Sequence, residues 1–412
     1  MAVEGETETH PNIAAVRAIP RSVVALGFVS LFMDISSEII HSLLPVFLVT
    51  VLGAGALSVG FIEGIAEATS QVTKLFSGAI SDWIGKRKLL VLFGYGLAAL
   101  AKPLFPLAPG VGMVLAARFI DRIGKGIRGA PRDALIGDVT PIELRGTAFG
   151  LRQAMDTVGA FVGPLLAMLL MAASSDNFRL VFWIAVVPAV VSVLLILYGV
   201  QEPGFSPRTE SRPFPVQPSE LKRLDLVFWS LVGIATILTL GRFSEAFLLL
   251  GAEHVGLAVT LIPGVLVAMN VVYAGSAYPF GRLSDAINRR TLLALGAMFL
   301  IVADIILATA GTSWQVFAGV MLWGLHLGAT QGLLSTLVVD AAPADLRGTA
   351  LGVYNLITGI ALLVASVMAG SLWTAFGPAA TFLAGGGFAG IALLGMIAFQ
   401  PSHGFIVSAR DV

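Results

Sequence analysis

Gly78-Ala-Ile-Ser-Asp82-Trp-Ile-Gly85-Lys86-Arg87 and Gly281-Arg-Leu-Ser-Asp285-Ala-Ile-Asn288-Arg289-Arg290 are one pattern written twice, 203 residues apart. A second pattern repeats in step with it. Asp138-Val-Thr-Pro141-Ile-Glu143-Leu-Arg145-Gly146-Thr-Ala-Phe-Gly150 returns as Asp340-Ala-Ala-Pro343-Ala-Asp345-Leu-Arg347-Gly348-Thr-Ala-Leu-Gly352, at an offset of 202. Each is a polar loop between long apolar runs. Two such pairs in register describe a chain of two equivalent halves, the plan of transporters whose halves rock about a site between them.

Composition fixes the setting. The 412 residues are 57% hydrophobic and 12% charged, with a mean hydropathy of +0.90; a soluble domain carries roughly 25% charged residues. Apolar runs long enough to cross a bilayer core recur along the chain. They predict helices over 22–50, 57–81, 89–107, 111–138, 148–171, 179–199, 226–250, 259–283, 291–310, 315–340, 350–373 and 379–398. The expected fold is an all-α membrane protein, twelve transmembrane helices in two pseudo-symmetric six-helix bundles, residues 22–200 and 225–399. Residues 1–21 and 400–412 are tails, and 201–224 a linker whose five prolines prevent a packed domain. The tail from Met1 to Pro20 lacks the order of a cleavable signal peptide. Zero net charge without a basic block gives no sign of nucleic acid. The lack of cysteine excludes disulfides, thiol catalysis and thiolate metal sites.

Basic residues orient the chain. Arg17 and Arg21, Lys86-Arg87-Lys88, Arg145, the linker, Arg289-Arg290 and Arg347 fall in one set of loops. The alternate loops hold no Lys or Arg except Arg179. Both termini and the linker are therefore expected in the cytoplasm, and the protein as a monomer in the inner membrane.

At these residues the chain resembles the major facilitator superfamily, over essentially its whole length. Gly78, Asp82, Gly85, Lys86 and Arg87 fit that family's loop between helices 2 and 3, and Gly281 to Arg290, with Asp285 and Arg289, its degenerate second copy. Arg118 fits the buried basic position of helix 4, although the usual Arg-x-x-Gln-Gly is replaced by Arg118-Phe-Ile-Asp121-Arg122. Gly159-Ala-Phe-Val-Gly163-Pro164 looks like the antiporter motif of helix 5, with Leu166-Ala167 in place of its trailing Gly-Gly. The resemblance implies secondary transport by alternating access, with the loop cluster latching the halves together. A loop that is basic only to stay inside would not need Asp82, which at a helix end can pair with Arg or Lys.

Ionisable residues stand where lipid forbids them. Asp34, Glu38 and His41 share one face of span 1; Glu63, Glu67, Gln71 and Lys74 stripe span 2. Span 4 carries Arg118, Asp121, Arg122, Lys125, Arg128, Arg132 and Asp133, and span 5 Arg152 and Asp156. One charge at the bilayer centre costs about 2.5–3.5 kcal/mol, so these stripes must face one another or a wet cavity. Acids and bases roughly balance, so much of this is expected to be a structural ion-pair network, Arg128, Arg132 and Asp133 in particular. Paired carboxylates in a desolvated site are candidates to carry a proton. Asp34 and Glu38 are that pair, helped by Glu63 or Glu67, with Arg118 neutralising them when no substrate is bound. Arg122 and Lys125 are alternative binding groups for an anion.

The other half is quieter. Arg242 and Glu245 are expected to pair with each other. Asn270, Tyr273, His326, Gln331, Tyr354 and Asn355 form a candidate polar wall, and Asp304 has no evident partner. Gly124-Lys-Gly126-Ile-Arg-Gly129 matches a dinucleotide fingerprint but follows no strand. Gly60/Gly64, Gly159/Gly163 and Gly386/Gly390 read as close helix packing. No hydrolase motif, cofactor site or phosphate-binding loop is present, so an enzyme or ATP-driven pump has no support. The expected function is proton-coupled export of a small organic molecule. Import of an organic anion and a non-transporting sensor of the same fold are the alternatives.

Overall fold

The computed structural model describes residues 19–84, 86–201, 221–343 and 346–398. Within them the first half holds α1 (Arg21–Thr50), α2 (Ala56–Ile84), α3 (Arg87–Leu107), α4 (Val111–Val139), α5 (Arg145–Ala173) and α6 (Phe178–Gly199). The second holds α7 (Leu226–His254), α8 (Gly264–Ala286), α9 (Arg289–Ala308), α10 (Ser313–Asp340), α11 (Arg347–Phe376) and α12 (Pro378–Ala398). Ten of these passages are apolar and long enough to cross a membrane. The other two, α2 and α4, have the length at 29 residues each but carry the densest charge. The linker residues 202–220 and Gly85 lie outside the described residues, as do the side chains of Asp82 and Asp285.

The two halves pack alike. In the first, α1 lies on α5 and α6, α2 on α4, and α3 on α4 and α6; in the second, α7 lies on α11 and α12, α8 on α10, and α9 on α10 and α12. Between the halves α2 meets α11 and α5 meets α8, a pair of contacts that the same repeat relates. Glycine permits the first of these. Gly60 abuts the Ser366 carbonyl, and a Cβ on Gly64 would stand 2.9 Å from Leu363 Cδ1. On the α11 side, a Cβ on Gly370 would stand 2.7 Å from the Ala56 carbonyl oxygen. Gly390, by contrast, has nothing within 4 Å, so close packing does not explain it.

Sequence reading made the first, third and seventh spans continuous, and all three are interrupted. α1 stops at His41 and restarts at Leu44, with Pro45 in the first turn of the new segment, where a missing N–H costs nothing. α3 breaks at Lys102–Pro103. α7 breaks between Gly241 and Ala246, the place in the second half that matches the α1 break.

Beyond the α1 and α7 breaks the bundle is plugged. Leu43, Leu44, Val46, Phe47 and Leu48 on one side, and Ala246 to Leu250 on the other, are buried. The Phe47 ring meets Phe182 edge-on at 5.2 Å, and Phe247 lies 5.7 Å from Trp373. At the same end Thr260 Oγ1 donates to Asp176 Oδ1 across the halves, at 2.7 Å. Arg179, the basic residue on the wrong side, donates to the Pro106 and Ala108 carbonyls and so caps the end of α3. At the opposite, basic end, Arg87 pairs with Asp138 at 3.0 Å and Arg289 with Asp340 at 2.6 Å. The same ion pair thus occurs once in each half.

Candidate functional site: a charged cavity within the bundle

A cavity of about 700 Å³ occupies the half of the bundle nearer the basic loops. Its walls come from α1 (Asp34, Glu38), α2 (Glu67 to Lys74), α4 (Lys125 to Arg132), α5 (Gln153 to Phe161) and α8 (Asn270 to Ala274). The i, i+4 spacing of the stripes aims these side chains into it. Arg128 and Arg132, expected as structural residues, also line this space.

Behind the cavity wall a network of ion pairs binds the helices together. Arg118 grips Glu63 with both arms of its guanidinium, Nε to Oε1 at 3.1 Å and Nη2 to Oε2 at 2.7 Å, and both residues are 1% exposed. Arg118 was expected to neutralise Asp34 and Glu38; its partner is Glu63. His41 bridges from that pair towards the cavity, with Nε2 3.8 Å from Glu63 Oε2 and Nδ1 3.6 Å from Glu38 Oε2. Arg122 reaches Glu67 at 3.2 Å. Arg152 holds Asp156 at 2.8 Å and lies 3.7 Å from Asp133, and Arg132 donates to Asp133 and Ser30.

Two polar groups outside the cavity completed the network without a sequence signal. Lys102, 1% exposed at the α3 break, donates to Asp121 Oδ1 at 2.8 Å and to Ser37 Oγ at 2.9 Å. Tyr95 places its ring 4.4 Å from the Arg128 guanidinium and shares its hydroxyl with Ser30. Lys102 flanks a proline at the end of an apolar run and so looks like a loop residue, which hid it.

Asp34 differs from the other acids of this half. It has no hydrogen bond or ion pair among the described residues, and it shares the cavity wall with Lys125, Arg128, Arg132 and Asp156. Its neighbour across the helix interface is glycine. A Cβ on Gly159 would stand 2.9 Å from the Asp34 Cβ, and one on Gly163 2.5 Å from the Glu38 Cβ. The helix-5 pattern therefore packs against the two candidate proton carriers, with Pro164 buried beside them.

The second half contributes less. Asn270 donates to the Ala160 carbonyl at 3.5 Å, joining α8 to α5, and Tyr273 lines the cavity. Arg242 and Glu245 stand in the α7 break, and no ion pair within 4.0 Å joins them among the described residues. His326 is not on the cavity wall. It is fully buried, with Nδ1 2.8 Å from the Gly296 carbonyl, and belongs to the α9–α10 contact. Asp304 does have a partner, Trp323 Nε1 at 3.0 Å. Gln331 is exposed, Asn355 half-buried and Tyr354 buried; none is among the residues that line the cavity. Of the loop cluster, Lys86 is exposed and Gly78 half-buried, while Gly85 and the side chains of Asp82 and Asp285 lie outside what is described. Among the described residues no group of His, Cys, Asp and Glu is arranged to hold a metal.

Two equivalent helical halves around a charged cavity buried in the membrane define a polytopic membrane transporter rather than an enzyme. The chain belongs to the Major Facilitator Superfamily, whose model matches residues 26–362 and 246–404. An uncharacterized MFS-type transporter of Methanocaldococcus jannaschii is 33% identical over 380 residues, 90% of this chain and 92% of that one. The inner membrane transport protein YajR of Escherichia coli is 25% identical over 385 residues, 89% and 80% of the two chains. Among solved structures, the nucleoside transporter NupG superposes with a TM-score of 0.77 at 12% identity, over 92% of this chain and all of that one, a likeness of fold.

Proposed function

We propose that this transporter exchanges protons for a small organic molecule, with Asp34 as the group that carries the proton. The observation behind this reading is the isolation of Asp34: among the described residues it is the one cavity-facing acid without a partner, and it lies against the glycine face of α5. A carboxylate gripped by arginine, as Glu63 is by Arg118, is committed to that ion pair. An unpaired one in a desolvated cavity is free to gain and lose a proton as helices move around it. Glu38, linked through His41 to Glu63, is the relay next to it.

In this reading residues 22–200 and 225–399 rock as units, with both termini in the cytoplasm. The cavity then faces inward, and the plug beyond the α1 and α7 breaks is the closed outer gate. Gly78, Asp82, Gly85, Lys86 and Arg87, with Asp285 and Arg289, form the latch that engages when the halves swing outward. Energy comes from the proton gradient, and the protein works as a monomer. The sign of gradient dependence tests the exchange. Everted vesicles with an acidic interior should accumulate the cargo, and collapsing the gradient should release it. Accumulation in right-side-out vesicles driven by external acid would instead assign proton-linked import, the direction that an anionic cargo bound by Arg122 and Lys125 favours.

A further inference from the structure

The exchange reading leaves the chemistry of the cargo open, and the unmatched charges of the cavity speak to it. Once the ion pairs of the first half are closed, four cavity-lining charges stand without an ion-pair partner among the described residues: Asp34 on α1, Lys74 on α2, and Lys125 and Arg128 on α4. Both lysines are exposed to the cavity. They belong to one patch, because the Lys74 stem runs over Gly129, where an added Cβ would stand 3.9 Å from Lys74 Cε. Gly129 is one helical turn beyond Lys125. Arg128, between them in sequence, is 5% exposed, stacks on Tyr95, and has an Nη1 with no hydrogen-bond acceptor. It adds positive field to that patch. Val158, Phe161 and Val271 give the same cavity an apolar wall.

A site of this kind matches neither a simple cation nor a simple anion. A lone cation on Asp34 leaves the lysine patch uncompensated in a medium where unpaired charge is costly. A lone anion on the lysines is opposed by Asp34 whenever that acid is ionised. We propose that the cargo is amphoteric: its acidic group, a carboxylate or a phosphate-like anion, sits on Lys74 and Lys125, and its amine sits on Asp34. This rests on the exchange reading, since the amine then takes the place the proton vacates, and its net neutrality lets it cross with the helices as they swing. The volume of about 700 Å³ is that of a small-molecule site.

The test is a ladder of ω-amino acids of increasing length, each set beside the n-alkylamine and n-alkanoate of the same length. Binding to the purified full-length protein is read as thermal stabilisation at slightly alkaline pH and fixed ionic strength. At least one ω-amino acid should bind about tenfold more tightly than both single-charge analogues, a difference of about 1.4 kcal/mol. Lys125→Gln and Lys74→Gln should each remove that preference by weakening amino-acid binding, with alkylamine binding kept or strengthened as a neighbouring positive charge is lost. A phosphonate in place of the carboxylate tells which acidic group the patch prefers. The proposal is overturned if an alkylamine or alkanoate binds as well as its amino acid, if no ω-amino acid binds, or if the lysine variants keep the preference. The wild-type ladder decides even if a variant fails to fold. Loss of proton exchange with the amphoteric preference intact would remove the exchange reading alone. Exchange of a singly charged cargo would remove the amphoteric one alone.

Discussion

Asp34 on α1 lies directly against Gly159 on α5, so close that a Cβ on the glycine would stand 2.9 Å from the Asp34 Cβ. One turn on, Gly163 stands in the same relation to Glu38. The two acids best placed to carry a proton are thus seated on the only kind of helix surface that allows such approach.

Gly163→Ala is therefore expected to force α5 away from α1, since its Cβ would come 2.5 Å from that of Glu38. Overpacking of this kind costs about 1–3 kcal/mol. Transport should fall sharply while the protein still inserts and folds. Gly150→Ala, on the same helix with nothing within 4 Å, is the control and should behave as wild type in the same flux and melting measurements.

Arg118 and Glu63 should be inseparable in stability. Neutralising either, as Arg118→Met or Glu63→Gln, leaves the other charged and buried at 1% exposure, a loss of about 3–5 kcal/mol. The double variant should recover most of it. A double-mutant cycle in detergent melting checks this; additive losses would show that the pair is not coupled.

Lys102 and Asp121 should follow the same rule at a different place. Lys102→Met alone is expected to destabilise the α3–α4 contact, and Asp121→Asn added to it should restore stability. In contrast, Asp340→Asn breaks a half-exposed pair with Arg289 and should cost no more than about 1 kcal/mol.

Because the chain has no cysteine, single cysteines report on the cavity without background. Gln71→Cys and Lys74→Cys should react with a membrane-impermeant thiol reagent added from the cytoplasmic side, and Phe47→Cys should not. A cargo that drives the halves to swing should slow the first two reactions.

The fold was legible because it is written in duplicate. The loop patterns 202 and 203 residues apart and the twelve apolar runs placed every helix to within a few residues. The breaks in α1, α3 and α7 were not legible: those in α1 and α3 are two residues long and marked only by Pro45 and Pro103, and the four residues 242–245 of α7 read as a polar pair within a continuous helix. At the site, spacing found the stripes and hence the cavity-facing residues of the first half. It did not assign partners. Arg118 stands the same number of turns along α4 whether it meets Glu63 or Asp34, and only the rotation and offset of neighbouring helices decide. His326 shows the converse: a polar residue in an apolar helix reads as cavity wall, although its Nδ1 meets the Gly296 carbonyl at a helix contact.

The central claim is that Asp34 carries the coupled proton. Proteoliposomes containing wild type or Asp34→Asn, loaded with a pH-sensitive dye and given a cargo gradient without a proton gradient, test it most directly. The account predicts cargo-driven proton movement in the wild type, and in Asp34→Asn cargo exchange that continues with no proton movement. Proton movement at the wild-type rate in Asp34→Asn would contradict it and place the coupling on another group.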